Sequence, residues 1–144
     1  MGVGEREELY REIRESRSDA SGYYALLGMR VEELGEGRAR FSMSAGPRLW
    51  NTGGVVHGGA LASLADASIG TALATLIDHA RESIATIEMK INFAAPVREG
   101  DVVAEGVIIQ KGRTVAIGES TLTDTQGKLL AKAIATFSIR SHGG

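Results

Sequence analysis

The stretch HGGALASLADASIGTALATLIDHA, residues 57–80, decides the fold of this chain. Apolar residues recur along it at steps of three and four positions, which predicts a helix; they are Leu61, Leu64, Ala65, Ile69, Ala72, Leu73, Leu76 and Ile77. The remaining positions are mostly small, namely Ala60, Ser63, Ala67, Gly70 and Ala74. A helix that is apolar on all sides is normally buried. We therefore expect a central helix over 57–80 that the rest of the chain surrounds.

Strand patterns occupy both sides of this helix. Two precede it, at 29–34 and 38–44, with a turn at Gly35–Gly37 and an apolar face of Ala39, Phe41 and Met43. Four follow it, at 87–93, 102–110, 114–123 and 128–140, with hairpin turns at Lys111-Gly112 and Gln126-Gly127. The order β-β-α-β-β-β-β predicts an α+β fold, in which one antiparallel sheet wraps around one long central helix.

The N-terminal residues differ from this body. Residues 4–17 are strongly charged, with Leu9 and Ile13 as an apolar stripe, which suits a short surface helix. We interpret 18–28 as a connector whose apolar side chains pack inward, namely Tyr23, Tyr24, Leu26 and Leu27. The predicted organisation is a helical arm over 1–27 and a main domain over 28–144.

Composition excludes several classes of protein. With 43% hydrophobic and 24% charged residues, the chain has the balance of one folded domain. It has no cysteine, which excludes disulfides, cysteine zinc sites and a thiolate nucleophile. No Lys/Arg cluster approaches the density of a nucleic-acid-binding surface.

Targeting and membrane signals are not expected either. The start MGVGEREELYRE has no apolar run after a basic patch, and Asp66 interrupts the longest uncharged stretch. We therefore expect a cytoplasmic protein with no membrane or nucleic-acid partner.

Asp66 is the strongest candidate for chemistry. It is the only Asp, Glu, Lys or Arg between Arg48 and Asp78. A lone carboxylate among apolar neighbours is costly unless it is paired or hydrogen-bonded. Its presence favours a general base or a nucleophile. The alternative is a structural Asp that bonds a buried backbone group or an arginine from elsewhere in the chain.

The segment His57-Gly58-Gly59 lies where the helix should begin. The free N–H groups of a first helical turn can stabilise an oxyanion, and glycines let a ligand approach the backbone closely. The alternative is a tight loop-to-helix junction against which His57 packs. Asn51-Thr52-Gly53-Gly54 leads into this junction and by itself indicates only a turn.

Several other sites are missing from the sequence. It contains no G-x-S-x-G nucleophile motif, no P-loop and no G-x-G-x-x-G after a strand. The three histidines, at 57, 79 and 142, lack the spacing of metal ligands. We expect no metal and no cofactor.

Taken in order, Asn51, His57, Gly58, Gly59, Ala65 and Asp66 resemble the signature of the hotdog-fold acyl-CoA thioesterases. The pattern is most similar to the phenylacetic-acid-degradation (PaaI-like) branch. The resemblance continues through TIEMKINF at 86–93, the turn from Pro96 to Asp101, QKGR at 110–113 and GKLLA at 127–131. It covers about residues 28–140 and implies the hotdog fold and hydrolysis of an acyl-CoA to a free acid and CoA.

The resemblance also implies residue roles. The Gly58 N–H would polarise the thioester carbonyl, and Asp66 would activate a water or attack directly. Thr86 would orient that water, although strict alternation from Ile87 places Thr86 on the polar face of its strand. Asn51 and His57 would hold the thioester and the loop around it.

Binding of coenzyme A requires cations near its phosphates and a stretch of backbone that the ligand can approach closely. Gly59 is a candidate for the close approach, and Lys111 and Arg113, at a predicted hairpin tip, are candidates for the cations. The alternative for that pair is a solvated turn.

Three other functions stay open. One is a hotdog hydratase or dehydratase, although the Asn51–Gly59 segment does not resemble those enzymes. Another is a non-catalytic acyl-CoA sensor, for which the arm is too short to hold a DNA-binding module. The third is a thioesterase acting on acyl carrier protein.

Helix geometry predicts a shared site. Gly58 and Asp66 are eight residues apart, which is about 12 Å along an α-helix. One thioester cannot reach both groups of a single helix. Two antiparallel helices related by a twofold axis would bring each Gly58 beside the partner's Asp66. We expect a homodimer with two composite sites, pairing further into a tetramer.

Overall fold

The computed structural model, which describes residues 1–142, has three α-helices and six β-strands. The helices are α1 (Val3–Ser16), α2 (Tyr23–Leu27) and α3 (Gly58–Ala74). The strands are β1 (Met29–Gly35), β2 (Arg38–Ala45), β3 (Glu82–Phe93), β4 (Gly100–Lys111), β5 (Val115–Thr123) and β6 (Leu129–Ser141). A short 3-10 turn, Pro47–Leu49, precedes the loop that leads to α3.

All six strands form one antiparallel sheet in the order β1-β2-β4-β5-β6-β3. The sheet packs around α3, whose Leu64, Ile69 and Leu73 are fully buried. On β2 the predicted apolar face is confirmed, because Phe41 and Met43 are also fully buried, although Ser42 between them is buried as well. The element order and the antiparallel sheet around one central helix are therefore as the sequence predicts.

Two glycines let the helix lie directly on the sheet. A Cβ added at Gly106 on β4 would lie 2.2 Å from the carbonyl oxygen of Ser68 on α3. A Cβ at Gly118 on β5 would lie 2.6 Å from Cγ2 of Ile69. Both distances are shorter than any van der Waals contact, so only glycine permits this approach.

The central helix is shorter than the sequence predicts. It ends at Ala74 and not at Ala80, with Thr75 as its C-terminal cap. The Thr75 hydroxyl donates to the Ala72 carbonyl at 2.7 Å and accepts the Gly37 amide at 2.8 Å, which fixes the helix end against the β1–β2 turn. Ile77 stays buried without a helix around it. The spacing of apolar residues alone does not show where the helix ends.

The arm packs against α3 through α1. Ile13 is buried, and Arg17 Nε donates to Thr71 Oγ1 at 2.8 Å. The turn between α1 and α2 is closed by Asp19, whose pKa is lowered because the Ser21 amide and hydroxyl donate to its carboxylate.

One prediction for the arm is wrong. Tyr23 and Leu26 do not pack inward but are exposed on α2, with relative exposures of 56% and 65%. The segment 18–28 is predicted to be a connector, and within it Tyr23–Leu27 forms a short helix. A helix of five residues is too short to show an apolar period.

Strand β3 contains a bulge at Ile87. Thr86 pairs with Phe137 and Glu88 pairs with Thr136, so Ile87 is an extra residue between them. Ile87 is 57% exposed, contrary to the inward position that the alternation predicts. The strand also begins at Glu82, five residues before the predicted start. The bulge decides which residues of β3 face the helix.

Within residues 1–142, no helix is both long enough and apolar enough to cross a membrane.

Candidate active site

The start of α3 is fixed by His57. Its backbone N–H donates to the Leu49 carbonyl at 2.8 Å, and its ring Nδ1 accepts the Gly59 amide at 2.8 Å. His57 is therefore an N-cap, a position where a side chain takes one of the free first-turn amides. A Cβ at Gly59 would lie 3.0 Å from this Nδ1, so the glycine makes room for the ring.

One amide of this first turn remains available. The amides of Ala60 and Leu61 donate to the His57 carbonyl, and that of Gly59 to the His57 ring. The Gly58 N–H has no acceptor among residues 1–142. It lies at the positive end of the α3 dipole, where an anionic oxygen is stabilised.

A cavity of about 340 Å³ opens beside Gly58. Its lining includes Asn51, Val55, Leu61 and Phe93. A Cβ at Gly58 would lie 3.1 Å from the Phe93 ring, so the missing side chain keeps this entrance open. The free N–H and a mainly apolar cavity are thus adjacent.

Asn51 holds the loop that precedes the helix. Its Oδ1 accepts the amide of Gly53 at 2.8 Å, and its own backbone N–H donates to the Val55 carbonyl at 2.8 Å. Gly54 has a φ of +79°, which the tight turn requires. The side-chain amide nitrogen of Asn51 is left without an acceptor among residues 1–142, so it can donate to a ligand in the cavity.

Asp66 and Thr86 meet across the interface of α3 and β3. The Thr86 hydroxyl donates to Asp66 Oδ1 at 2.7 Å. The sequence alternation places Thr86 on the polar face, and this is wrong because the bulge at Ile87 shifts the register. Thr86 therefore faces the helix on the same side of β3 as Ile84, Met89 and Ile91. The orientation of Thr86 is seen only from the pairing of β3 with β6, because no fixed residue pattern in a single sequence identifies a bulge.

The Asp66 carboxylate has no cationic partner. It is half-buried and makes no ion pair with any of residues 1–142. If Asp66 were structural and paired with an arginine, that arginine would be near it, and none is found among the described residues. With Oδ1 bonded to Thr86, Oδ2 can accept a proton from water. Residues 1–142 also contain no group of three or more His, Cys, Asp or Glu side chains that could hold a metal ion.

Within one chain the two candidate groups lie apart. Gly58 contacts Phe93 near the end of β3, whereas Asp66 contacts Thr86 on the other side of the strand's centre. The cavity at Gly58 includes neither Asp66 nor Thr86.

The two cations lie at the opposite end of the sheet from Gly58. Lys111 ends β4, Arg113 lies in the following turn, and both are exposed. The hairpin that carries them lies next to Ile139 of β6, whose amide donates to the Thr114 carbonyl. Phe93, beside Gly58, pairs with Ala131 at the other end of β6. One chain therefore does not bring these cations to its own Gly58.

Tyr23 and Ser63 are near this site, although sequence reasoning assigned them no role. The Ser63 hydroxyl donates to the Gly59 carbonyl at 2.9 Å and therefore accepts from the Tyr23 hydroxyl, 2.6 Å away. The arm is thus bonded to the turn that carries Gly58. No local pattern marks this contact, because forty positions separate the two residues.

Comparison with known proteins decides the family. The model of the Thioesterase superfamily matches residues 53–131, which include the start of α3, Asp66 and Thr86. The chain belongs to the thioesterase superfamily.

Relatives of this thioesterase-superfamily protein agree with the assignment. The Saccharolobus solfataricus protein named "Putative esterase SSO2140" is 35% identical over 92% of this chain and 94% of its own length. A mutant of thioesterase PA1618 from Pseudomonas aeruginosa superposes with a TM-score of 0.84 at 25% identity, covering 92% of this chain and 94% of that one.

The conserved protein PA5202 from the same organism is 33% identical, with a TM-score of 0.78, and covers 90% of this chain and 98% of that one. These similarities confirm the hotdog architecture and support thioester hydrolysis as the general activity.

Proposed function

We propose that this thioesterase-superfamily protein hydrolyses acyl-CoA thioesters, as enzymes of the PaaI-like branch do. The observation that carries the proposal is the Asp66 carboxylate, which lies on an otherwise uncharged helix, has no cationic partner among residues 1–142 and accepts a hydrogen bond from the Thr86 hydroxyl at 2.7 Å. A structural carboxylate in such a place would need a stronger partner than an exposed threonine.

The proposed reaction uses Asp66 as a general base. Asp66 takes one proton from a water molecule while the water oxygen bonds to the thioester carbon, giving a tetrahedral oxyanion. The C–S bond then breaks, and the CoA sulfur takes the proton from Asp66. Direct attack by Asp66 would instead form an anhydride that water hydrolyses; both routes give a free acid and CoA.

The Gly58 N–H is proposed to stabilise the oxyanion. It is the first-turn amide that has no acceptor, so it can donate to the thioester oxygen as negative charge develops. His57 positions this amide by capping the next one, and Asn51 keeps the loop closed and offers its side-chain amide to the thioester. These are the roles that the family resemblance implies.

Coenzyme A is proposed to bind along the exposed surface outside this cavity. Lys111 and Arg113 would attract its phosphates, and Gly59 would let it approach the helix start. Since the cations lie far from Gly58 in their own chain, they would serve a site that a second chain completes.

A twofold dimer is proposed for the same reason. Eight residues of helix separate Gly58 from Asp66, about 12 Å. Strand β3 is the last strand of the sheet, and its outer edge has no partner among residues 1–142. Two copies joined along this edge would align two α3 helices in opposite directions, with each Gly58 beside the partner's Asp66. Further pairing into a tetramer would leave these sites unchanged.

A substrate panel tests the proposal. Short aliphatic, long-chain and aryl-acetyl thioesters of CoA and of acyl carrier protein are supplied, and the released thiol is measured, with Asp66→Asn as the control. We expect release from at least one CoA thioester and almost none from the variant. Release from the carrier-protein thioesters alone would change the substrate class. Binding of acyl-CoA without any release would favour the sensor function.

A further inference from the structure

A series of hydrogen bonds runs from the N-terminal arm to the start of α3. The Tyr23 hydroxyl donates to Ser63 Oγ at 2.6 Å, and the Ser63 hydroxyl donates to the Gly59 carbonyl at 2.9 Å. This carbonyl shares its peptide group with the Ala60 N–H. The Ala60 N–H donates in turn to the His57 carbonyl at 2.9 Å.

The series ends at the amide that the proposed mechanism uses. The His57 carbonyl shares its peptide group with the Gly58 N–H, which has no acceptor among residues 1–142. All the bonds point in one direction, because each group accepts at one end and donates at the other. Groups bonded in this way polarise one another, so a peptide whose carbonyl accepts a hydrogen bond has a better N–H donor. We call this series the relay, although no proton moves along it.

Tyr23 fixes the direction of the relay. A serine hydroxyl can rotate, and it can donate as well as accept. The bond from Tyr23 uses the Ser63 oxygen as an acceptor and leaves its proton for the Gly59 carbonyl. The Tyr23 side chain is 56% exposed, so it makes this bond without being buried. Ser63 is half-buried on α3, one helical turn from Gly59.

We propose that Ser63 is a positioning residue of the thioester site, which strengthens the Gly58 N–H as the oxyanion donor, and that Tyr23 holds the Ser63 hydroxyl in its donating orientation. Both residues act through the backbone at the start of α3 and not by touching the thioester. The inference rests on the proposed function and adds to it the groups that tune the oxyanion site.

The kinetic experiment removes one hydroxyl at a time. Ser63→Ala interrupts the relay, whereas Ser63→Thr keeps it, because a threonine hydroxyl in a helix can bond the carbonyl four residues earlier. Tyr23→Phe removes only the first bond. Tyr24→Phe removes a hydroxyl from the next residue, whose ring stacks on Phe41, and is the matched control. For each variant, kcat and KM are measured with the CoA thioester that the wild-type protein hydrolyses fastest, together with the unfolding temperature.

We expect Ser63→Ala to lower kcat roughly two- to eightfold with little change in KM, since one oxyanion donor contributes about 100- to 1,000-fold and a cooperative bond strengthens it by about 10–30%. Ser63→Thr should keep most of the wild-type kcat, and Tyr24→Phe should keep all of it. Tyr23→Phe should have a smaller effect than Ser63→Ala, because water can replace an exposed hydroxyl, and no effect once Ser63 is alanine. Normal kcat in Ser63→Ala, or a loss that Ser63→Thr shares, would overturn the inference.

An infrared measurement separates polarisation of the carbonyl from a general loss of activity. Asp66→Asn is used to bind the same thioester without hydrolysing it, and a ¹³C label identifies the stretching band of the thioester carbonyl. A hydrogen bond to this oxygen lowers the stretching frequency. Adding Ser63→Ala to Asp66→Asn should move the frequency part of the way back toward that of the free thioester. Equal frequencies in the two proteins would overturn the inference. Failure of the wild-type protein to hydrolyse any thioester would instead refute the proposed function.

Discussion

Replacing Thr86 by valine is expected to lower kcat about tenfold while leaving KM nearly unchanged. The change removes the hydroxyl that donates to Asp66 Oδ1 at 2.7 Å but keeps the size and the β-branched shape that suit a strand. A hydrogen bond to a charged group contributes about 1.5–3 kcal/mol. Thr86 is exposed, so water partly replaces the bond and the lower value applies. A loss of about 1.4 kcal/mol is tenfold in rate.

The assay follows thiol release at saturating and at low substrate, so that kcat and KM are obtained separately. Thr86→Ser keeps the hydroxyl and is the matched control, expected to retain most of the wild-type kcat. Unfolding temperatures of both variants show whether the strand is intact. A valine variant with normal kcat, or one in which KM rises while kcat does not change, would refute the role of Thr86 in holding the base and its water.

Three further predictions concern the site and the fold. Asp66→Asn should reduce turnover at least ~100-fold with an unchanged unfolding temperature, because it removes the base but keeps the size; near-normal turnover would make the carboxylate structural. Neutralising Lys111 and Arg113 to alanine should raise KM for CoA thioesters but not for a pantetheine thioester, and equal changes for both would remove these residues from the phosphate site. Gly106→Ala places a Cβ 2.2 Å from a carbonyl oxygen of α3 and should lower the free energy of unfolding by about 1–3 kcal/mol or more. The free energy of unfolding is measured in denaturant. The control Gly4→Ala, whose Cβ lies in open space, should leave it unchanged or raise it. Equal stability of the two variants would contradict the close helix–sheet contact.

The sequence predicts the sheet and its helix because both depend on local periodicity. Phe41 and Met43 alternate with polar residues in the sequence and are buried as that alternation requires. The apolar spacing of α3 likewise predicts a buried helix. Its ending at Ala74 could not be predicted, since the Thr75 hydroxyl is fixed by the Gly37 amide, a contact between distant residues.

The site was only partly predictable for a similar reason. Asp66 stands out in the sequence because it is a lone charge in an apolar segment. Its contact with Thr86 depends on the bulge at Ile87, which becomes visible only when β3 is paired with β6. The part played by Tyr23 depends on where the arm crosses α3, and no local pattern encodes that position.

The most direct test of the two-chain mechanism is complementation between two inactive variants. Gly58→Pro removes the proposed oxyanion donor at the first helical position, where proline is tolerated. His57 already has the extended backbone, with φ −58° and ψ 134°, that a following proline requires. Gly58→Ala adds the same Cβ beside Phe93 but keeps the N–H, so it separates crowding from loss of the donor. Asp66→Asn removes the base.

Each of Gly58→Pro and Asp66→Asn should be almost inactive alone, while Gly58→Ala should retain much more activity than Gly58→Pro. Refolded together in equal amounts, about half of the dimers are mixed, and each mixed dimer has one intact site and one doubly damaged site. Thiol release should then return to about a quarter of the wild-type rate, given random pairing. If Gly58 and Asp66 of the same chain form the site, every site in the mixture remains damaged. No recovery of activity, from variants shown to form mixed dimers, would contradict the two-chain mechanism.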